Sequence, residues 1–137
     1  MALKKQIEDF KRTLARLKES YRLAGENRSS QYYEFFRDSA IQRFEFTVEI
    51  MWKALKGYLE EMEGITCRSP KSCIRDFFSA GYLTEDEARD LLLMIDDKNR
   101  TVHTYHEEVA EDIFKRLGLY ISLFDRVFNG MEENLSL

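Results

Sequence analysis

Three long segments of the chain repeat apolar residues at alternating steps of four and three. Such spacing puts the apolar side chains on one face of a helix. The first segment runs from Leu3 to Tyr21, the second from Ile41 to Met62, and the third from Val109 to Val127. Because helices with such stripes pack side by side at about 20°, the pattern predicts the seams of a helical bundle.

Two shorter helices are expected between the second and third stripes. Ser69-Pro70 is typical of an N-cap followed by the first helical position, and Gly81 suits the left-handed residue after a helix end. Thr84–Glu87 and Thr104–Glu107 both read as capping boxes, so the last helix is expected to start near the second one. The predicted fold class is therefore all-α: an antiparallel, up-down helical bundle of four to five helices.

Composition supports this fold and narrows the function. The 137 residues are 44% hydrophobic, which fits one domain over residues 1–137, with a short frayed tail expected at 130–137. One proline and six glycines are too few for an all-β fold. A net charge of −4 excludes a uniformly basic coat for nucleic acid but leaves room for a local basic patch.

The location and the cysteines follow from the same residues. The chain has no apolar run long enough for a membrane span and its start has no signal-peptide core, so we expect a cytoplasmic protein without a membrane partner. Cys67 and Cys73 form neither a CxxC pair nor half of a visible zinc site. We expect two reduced thiols, with a disulfide as the minor alternative in a reducing compartment.

Several large apolar side chains lie outside the narrow stripes. They either widen the core face or form a subunit interface, because a large apolar patch is seldom left bare. These residues are Phe35, Phe36, Phe46, Ile50, Trp52 and Phe114.

Basic residues are concentrated in two places. Residues 1–24 are rich in Lys and Arg, which predicts either a solvated helix face or a surface that attracts phosphate or an acidic partner. Arg68, Lys71 and Arg75 surround the predicted helix start at Pro70. Free backbone N–H groups there would add to anion binding, so these three residues are candidate RNA or phosphate contacts.

One segment, residues 98–106, combines both histidines of the chain with two cations, an amide and a phenol. A polar surface connection between helices is the plain alternative. A metal site lacks an evident third ligand, so no metal is expected. We expect no cofactor: the chain has no phosphate-binding glycine loop, and any nucleotide transfer must be done by another chain because the nucleotidyltransferase G-S…D-x-D signature is absent.

Metal-free phosphodiester chemistry remains. A histidine can take the proton from a ribose 2′-OH, and a cation can stabilise the charge that develops on phosphorus. His103 with Lys98 or Arg100 supplies both parts. Such a site would cut RNA and spare DNA, which has no 2′-OH.

At these residues the sequence resembles a known family. Ala40–Lys56 and Asn99–Tyr105 resemble the HEPN domains, in particular the substrate-binding partners of minimal nucleotidyltransferases, also called HepT toxins; the likeness covers roughly residues 30–128. Asn99, His103 and Tyr105 match the family motif Arg-Asn-x-x-x-His-x-Tyr. Lys98 stands where the family usually has arginine, which removes the planar fork that grips phosphate.

Two neighbours of the motif also bear on the resemblance. Arg100 could supply the missing fork from two positions away. His106 stands where aspartate is common in the family, and it is a candidate supporting residue of the site.

The resemblance implies a helical bundle similar to the C-terminal domain of kanamycin nucleotidyltransferase, and a homodimer with both motifs facing one cleft. It further implies a small nucleotidyltransferase partner encoded by a neighbouring gene, and an RNA-cutting toxin that this partner neutralises by adding AMP to Tyr105. The competing interpretations are a non-catalytic substrate-binding subunit, which the lysine at position 98 favours, and a plain helical interaction protein.

Two carboxylates are expected to support the motif. Glu45 and Glu49 lie one helical turn apart and could pair with Lys98, Arg100 or Lys53. The alternative is a solvated acidic face.

Overall fold

The computed structural model describes residues 2–135. All regular secondary structure in this part of the chain is helical, and it contains no strand. The six α-helices are α1 (Ala2–Glu26), α2 (Tyr33–Tyr58), α3 (Pro70–Ser79), α4 (Glu85–Arg100), α5 (Glu107–Phe114) and α6 (Leu117–Glu132). A π-helical turn, Leu59–Glu63, extends α2, and a 3-10 turn, Thr101–His103, extends α4. The predicted all-α helical fold is confirmed.

The core forms where α1, α2 and α6 pack together. Phe10 of α1 meets Phe124 of α6 edge-on, with 6.1 Å between the ring centroids. Phe44 of α2 stacks on Tyr120 of α6 at 5.4 Å. The first two predicted stripes are buried along most of their length, whereas Met62, at the end of the second, is 40% exposed.

The third stripe was expected to be one helix, and this prediction is wrong. The helix is interrupted between Phe114 and Leu117, so α5 and α6 are separate helices. At the break the amide of Arg116 bonds to the carbonyl of Ile113, three residues back, at 3.0 Å. The Arg116 side chain reaches Asp97 of α4. Ile113 and Leu117 are nevertheless both buried, because the short break preserves the apolar face.

Two of the three predicted N-caps are confirmed, and so is the predicted left-handed glycine. Ser69 and Thr84 each accept a hydrogen bond from the backbone three residues ahead, and Gly81 has a left-handed φ of 95°. The cap predicted at Thr104 is wrong: its hydroxyl donates to the Thr101 carbonyl at 3.1 Å. As a result α5 begins only at Glu107.

The end of α6 lies further along the chain than expected. Gly130 and Met131 are buried within α6, and Leu135 packs against the core. The frayed tail expected at 130–137 therefore does not begin at residue 130, and residues 136–137 lie outside the described part of the chain.

The two cysteines form a disulfide, which corrects the expectation of reduced thiols. Ser69, the N-cap of α3, lies between them, and Cys67 in the preceding loop has its Cα atom 5.1 Å from that of Cys73 near the start of α3. Both side chains are buried. The spacing of Cys67 and Cys73 in the sequence did not show that the start of α3 brings the two thiols together.

The apolar residues outside the stripes divide into two groups. Phe114 is in the core, while Phe36, Ile50 and Trp52 are partly buried against it. Phe35 and Phe46 of α2 are exposed, by 74% and 45%. In residues 2–135 no helix has the length and apolar character that crossing a membrane requires.

Candidate functional site

The motif lies where α4 gives way to the 3-10 turn and the link to α5. Lys98 and Asn99 belong to the last turn of α4, and His103 ends the 3-10 turn. The buried Thr101 donates its hydroxyl proton to the Lys98 carbonyl at 2.7 Å, which ties the turn to the helix. Asn99, His103 and Tyr105 are exposed, Tyr105 by 76%. The motif thus presents its polar groups to solvent from a fixed backbone.

Three aromatic rings follow one another in this segment. The His103 and Tyr105 ring centroids lie 6.0 Å apart, and those of Tyr105 and His106 lie 4.3 Å apart. The His106 side chain is exposed, and its carbonyl accepts hydrogen bonds from the amides of Val109 and Ala110 in α5. An imidazole and a phenol are therefore accessible on the same surface.

Lys98 is oriented by a carboxylate of α2. Its Nζ lies 3.1 Å from Oε1 of Glu49, whose Oε2 accepts a hydrogen bond from the Trp52 indole at 3.2 Å. Partial burial opposes ionisation of Glu49, but the hydrogen bonds from Lys98 and Trp52 outweigh it and lower its pKa. An ammonium group has three donors, so Lys98 still has donors for a phosphate oxygen.

Arg100 points into an ionic network. Its Nη1 lies 2.9 Å from Asp97 and 2.8 Å from Asp112. Asp97, only 1% exposed, also accepts hydrogen bonds from Arg116 Nε at 2.7 Å and the Tyr120 hydroxyl at 2.5 Å. Burial raises the pKa of Asp97, but the Arg116 and Tyr120 hydrogen bonds lower it below its usual range. One arm of the Arg100 fork is thus committed to the fold.

Arg37 is a second buried ion that the sequence analysis missed. It is 2% exposed and pairs with Asp38, with Glu107 and, at 3.1 Å, with Glu111. It therefore ties α2 to the start of α5, directly after the motif. The signal was present: Arg37 lies seven residues before Phe44, in the register of the α2 stripe.

Glu45 lies near the motif without bonding to it. It lines, with Phe35, Gln42 and Thr104, an open groove of about 420 Å³ between α2 and the motif turn. Of the two carboxylates expected to support the motif, Glu49 contacts Lys98 and Glu45 only borders this groove.

The basic group at α3 lies beside the same half of α4. Lys71 Nζ is 2.7 Å from Asp96, while Arg68 and Arg75 are exposed. The capping box occupies several of the backbone N–H groups that were expected to be free here: the Ser72 amide bonds to Ser69 Oγ, and Ser72 Oγ accepts the amides of Arg68 and Ser69. An anion-binding role of this turn would therefore depend mainly on its side chains.

Among the described residues, no three His, Cys, Asp or Glu side chains come together as a set that could hold a metal ion. The candidate site consists of proton-transfer groups and cations.

Comparison with known proteins identifies the family. Residues 5–133 match the family described as nucleotidyltransferase substrate binding protein like, and the chain belongs to it. A Thermus thermophilus protein of known crystal structure is 43% identical, with 89% of this chain and 98% of that one covered and a TM-score of 0.81. No curated protein matches the chain significantly.

More distant structures share the fold. A tri-AMPylated Shewanella oneidensis HEPN toxin in complex with its MNT antitoxin is 16% identical, with 96% and 97% of the two chains covered and a TM-score of 0.75. A toxin–antitoxin solved with AMP-PNP is 15% identical, with 94% and 96% covered and a TM-score of 0.73. The resemblance to the HepT-like HEPN family is confirmed.

Proposed function

We propose that this protein is a metal-independent endoribonuclease toxin that acts in the cytoplasm and is silenced by a small nucleotidyltransferase partner. One observation carries the proposal: Lys98, Asn99 and His103 lie within six residues at the C-terminal end of α4, where Asn99 and His103 are exposed and the half-buried Lys98 is held 3.1 Å from Glu49. A proton acceptor and a cation on one surface are what 2′-OH attack on a phosphodiester needs.

The reaction follows from these groups. His103 removes the proton from a ribose 2′-OH, and the 2′-oxygen forms a bond to the adjacent phosphorus. The bond from phosphorus to the 5′-oxygen of the next nucleotide breaks, and a protonated imidazole returns a proton to that oxygen. Lys98 donates to a non-bridging oxygen as its charge grows, and Asn99 orients the phosphate. The products are a 2′,3′-cyclic phosphate and a 5′-OH, with no redox change.

The exposed phenol of Tyr105 is suited to regulation. Its oxygen can attack the α-phosphorus of ATP on a partner enzyme and take up AMP with release of pyrophosphate. The added anion would stand beside His103, whose ring centroid is 6.0 Å from that of Tyr105. It would block RNA sterically and repel its phosphates. An AMPylated toxin among the structures of the same fold supports this reading.

A second copy of the chain completes the proposal. Phe35 and Val102 are 74% and 70% exposed, and Phe35 borders the motif groove with Thr104. A two-fold dimer would bury this apolar surface twice and bring both motifs to one cleft. Light scattering at tens of micromolar, about the range for an ordinary interface, tests it: a strict monomer would contradict the dimer.

Arg68, Lys71 and Arg75 would contact RNA phosphates beside the cleft. The exposed guanidinium groups of Arg68 and Arg75 are free to do so on the flank of α4, whereas Lys71 would first have to leave Asp96.

A non-catalytic role is the second candidate. Lys98 is a point charge already paired with Glu49, and it lacks the bidentate geometry of arginine. In this case the chain would present a substrate to the nucleotidyltransferase and cut nothing itself.

The deciding experiment is an RNA cleavage assay in EDTA with the unmodified chain, whose mass is verified first. His103→Ala should abolish cleavage, whereas the matched variant His106→Ala, at the other exposed histidine and outside the proposed proton transfer, should retain most of it. Activity that vanishes with EDTA or survives His103→Ala contradicts the mechanism. If the unmodified chain cuts no RNA at all, the non-catalytic role replaces it.

A further inference from the structure

A second groove lies on the other side of Glu49 from the motif. It runs between α1 and α2, has a volume of about 340 Å³, and is lined by Arg12 and Arg16 of α1 and by Arg43, Phe46 and Ile50 of α2. Ligand pockets span about 300–1,000 Å³, so the groove has room for roughly one nucleotide. The proposed reaction does not use any of these residues.

The charge in this groove is not neutralised by the fold. Within residues 2–135, no carboxylate lies within 4.0 Å of the guanidinium of Arg16 or Arg43. Arg12 has one long contact, 3.4 Å, to the half-exposed Asp9. Glu49, the acid that lines the groove, is already paired with Lys98. A chain with net charge −4 thus keeps three guanidinium groups together without acidic partners inside the groove, which makes it attractive to an anion.

The groove also has an aromatic face. Phe46 is 45% exposed in the middle of α2, next to the half-buried Ile50. Arginines that follow a phosphate backbone, beside an aromatic ring on which a base can stack, are the combination that binds single-stranded nucleic acid. An acidic peptide would need the arginines but would gain little from Phe46.

Glu49 joins the groove to the motif. Its carboxylate lines the groove and also holds Lys98 at 3.1 Å. One side chain therefore borders both, so a strand with its reacting phosphate at Lys98 could continue across α2 into the groove.

We infer that the groove between α1 and α2 binds a nucleotide of single-stranded RNA flanking the cleaved bond. Arg16 and Arg43 hold its phosphate, and Phe46 stacks on its base. This inference rests on the proposed function for the identity of the strand, and the groove sets which RNAs bind well: unpaired segments long enough to reach it from the motif.

Binding is tested with a fluorescein-labelled single-stranded RNA of mixed sequence, about 12 nucleotides long, within the range that such sites cover. The protein carries His103→Ala to prevent cutting. Arg16→Ala and Arg43→Ala should each weaken binding about tenfold, the loss for one charged hydrogen-bonding contact. Each should also reduce the slope of log K against log[salt] by about 0.7.

The control for charge uses a residue outside the groove. Arg22→Ala removes one positive charge from the same helix at a residue paired with Glu19 and Glu26, and it should change little. Phe46→Ala should weaken the binding of single-stranded RNA about fivefold or more. It should leave the binding of duplex RNA unaffected, because paired bases cannot stack on this ring. Phe46→Trp should retain binding. All variants are surface changes whose folding is checked by circular dichroism.

Several outcomes overturn the inference. The inference fails if Arg16→Ala and Arg43→Ala weaken RNA binding no more than Arg22→Ala does. It also fails if Phe46→Ala disrupts the dimer in light scattering while the protein binds RNA normally. Cleavage of long RNA by the same variants with His103 intact separates the two proposals. RNA bound through the groove but never cut leaves the groove standing and ends the ribonuclease proposal. Unchanged cleavage by all groove variants supports the ribonuclease proposal and ends the groove inference.

Discussion

Asp97→Asn is expected to destabilise the protein strongly, although the two side chains have nearly the same shape. Asp97 is 1% exposed and accepts four hydrogen bonds, two from Arg116 and one each from Arg100 and Tyr120. The substitution removes one of the two carboxylates paired with Arg116, the other being Asp112 at 2.9 Å, and one acceptor oxygen becomes an NH₂ group that faces N–H or O–H donors.

The magnitude follows from the burial of the partners. Breaking a buried ion pair by removing one partner costs about 3–5 kcal/mol, because the other charge stays behind without compensation. The Arg116 side chain is only 23% exposed, so water can replace little of the lost interaction. Arg116 keeps its pair with Asp112 at 2.9 Å, so the expected loss lies at the lower end of this range, about 3 kcal/mol. At about 0.05–0.15 kcal/mol per residue, the chain should have enough stability to remain folded at room temperature, which keeps the loss measurable.

The loss in the free energy of unfolding is measured by urea unfolding, followed by circular dichroism at several pH values. The folded-state pKa of Asp97 is lowered, so the stability from its ionised form is present above about pH 4 and disappears as the pH falls through the folded pKa. The difference between wild type and Asp97→Asn should therefore be constant above about pH 5 and shrink in acid. Asp96→Asn, at an exposed neighbour paired with Lys71, is the control and should cost less than about 1 kcal/mol.

A loss at Asp97 below about 1 kcal/mol would place it among ordinary surface pairs and refute the reasoning. A difference from wild type that stays the same down to pH 2 or so would also refute it, because ionisation of Asp97 would then contribute nothing.

Three further predictions concern the motif and its support. Lys98→Ala should reduce RNA cleavage about 10²–10³-fold, the usual loss for one transition-state donor, and Lys98→Arg should retain or raise it; equal rates for all three proteins would exclude Lys98 from the reaction. Tyr105→Phe should leave cleavage intact while the chain co-expressed with its partner no longer gains the mass of AMP; a modified Phe variant would point to another acceptor. Arg37→Met should cost about 1–3 kcal/mol and speed hydrogen exchange at the Val109 and Ala110 amides, whereas unchanged exchange would show that Arg37 does not hold α5.

The helices could be predicted because their signals are local. The steps of the α1 stripe, the Ser69 cap and the Thr84 capping box each depend on residues within one or two turns of the chain. The Thr104 cap failed for a reason outside that window: Arg37 of α2 holds Glu107 from another helix. Glu107, the residue that would have completed the capping box, is therefore engaged elsewhere.

The ionic networks could be suspected but not assembled from the sequence. Asp97 lies three residues after Met94 in the buried register of α4, so a charge in a seam position was visible. Its partners Arg116 and Tyr120 come from a helix pairing that no local pattern specifies. The same holds for Glu49 and Lys98: the sequence offered three cations for this carboxylate, and only the packing of α2 beside α4 selects one.

Consecutive residues of α4 have opposite duties. Asp97 is buried and holds Arg116, whereas Asn99 is exposed and the half-buried Lys98 pairs with Glu49 beside the proposed chemistry. Random substitutions at these positions should therefore give two kinds of inactive variant. Changes at position 97 would lower the stability and the yield of the protein, whereas changes at 98 or 99 would give normal yields of protein that lacks the proposed cleavage. The boundary between residues that the fold requires and residues that the proposed cleavage requires thus falls between positions 97 and 98.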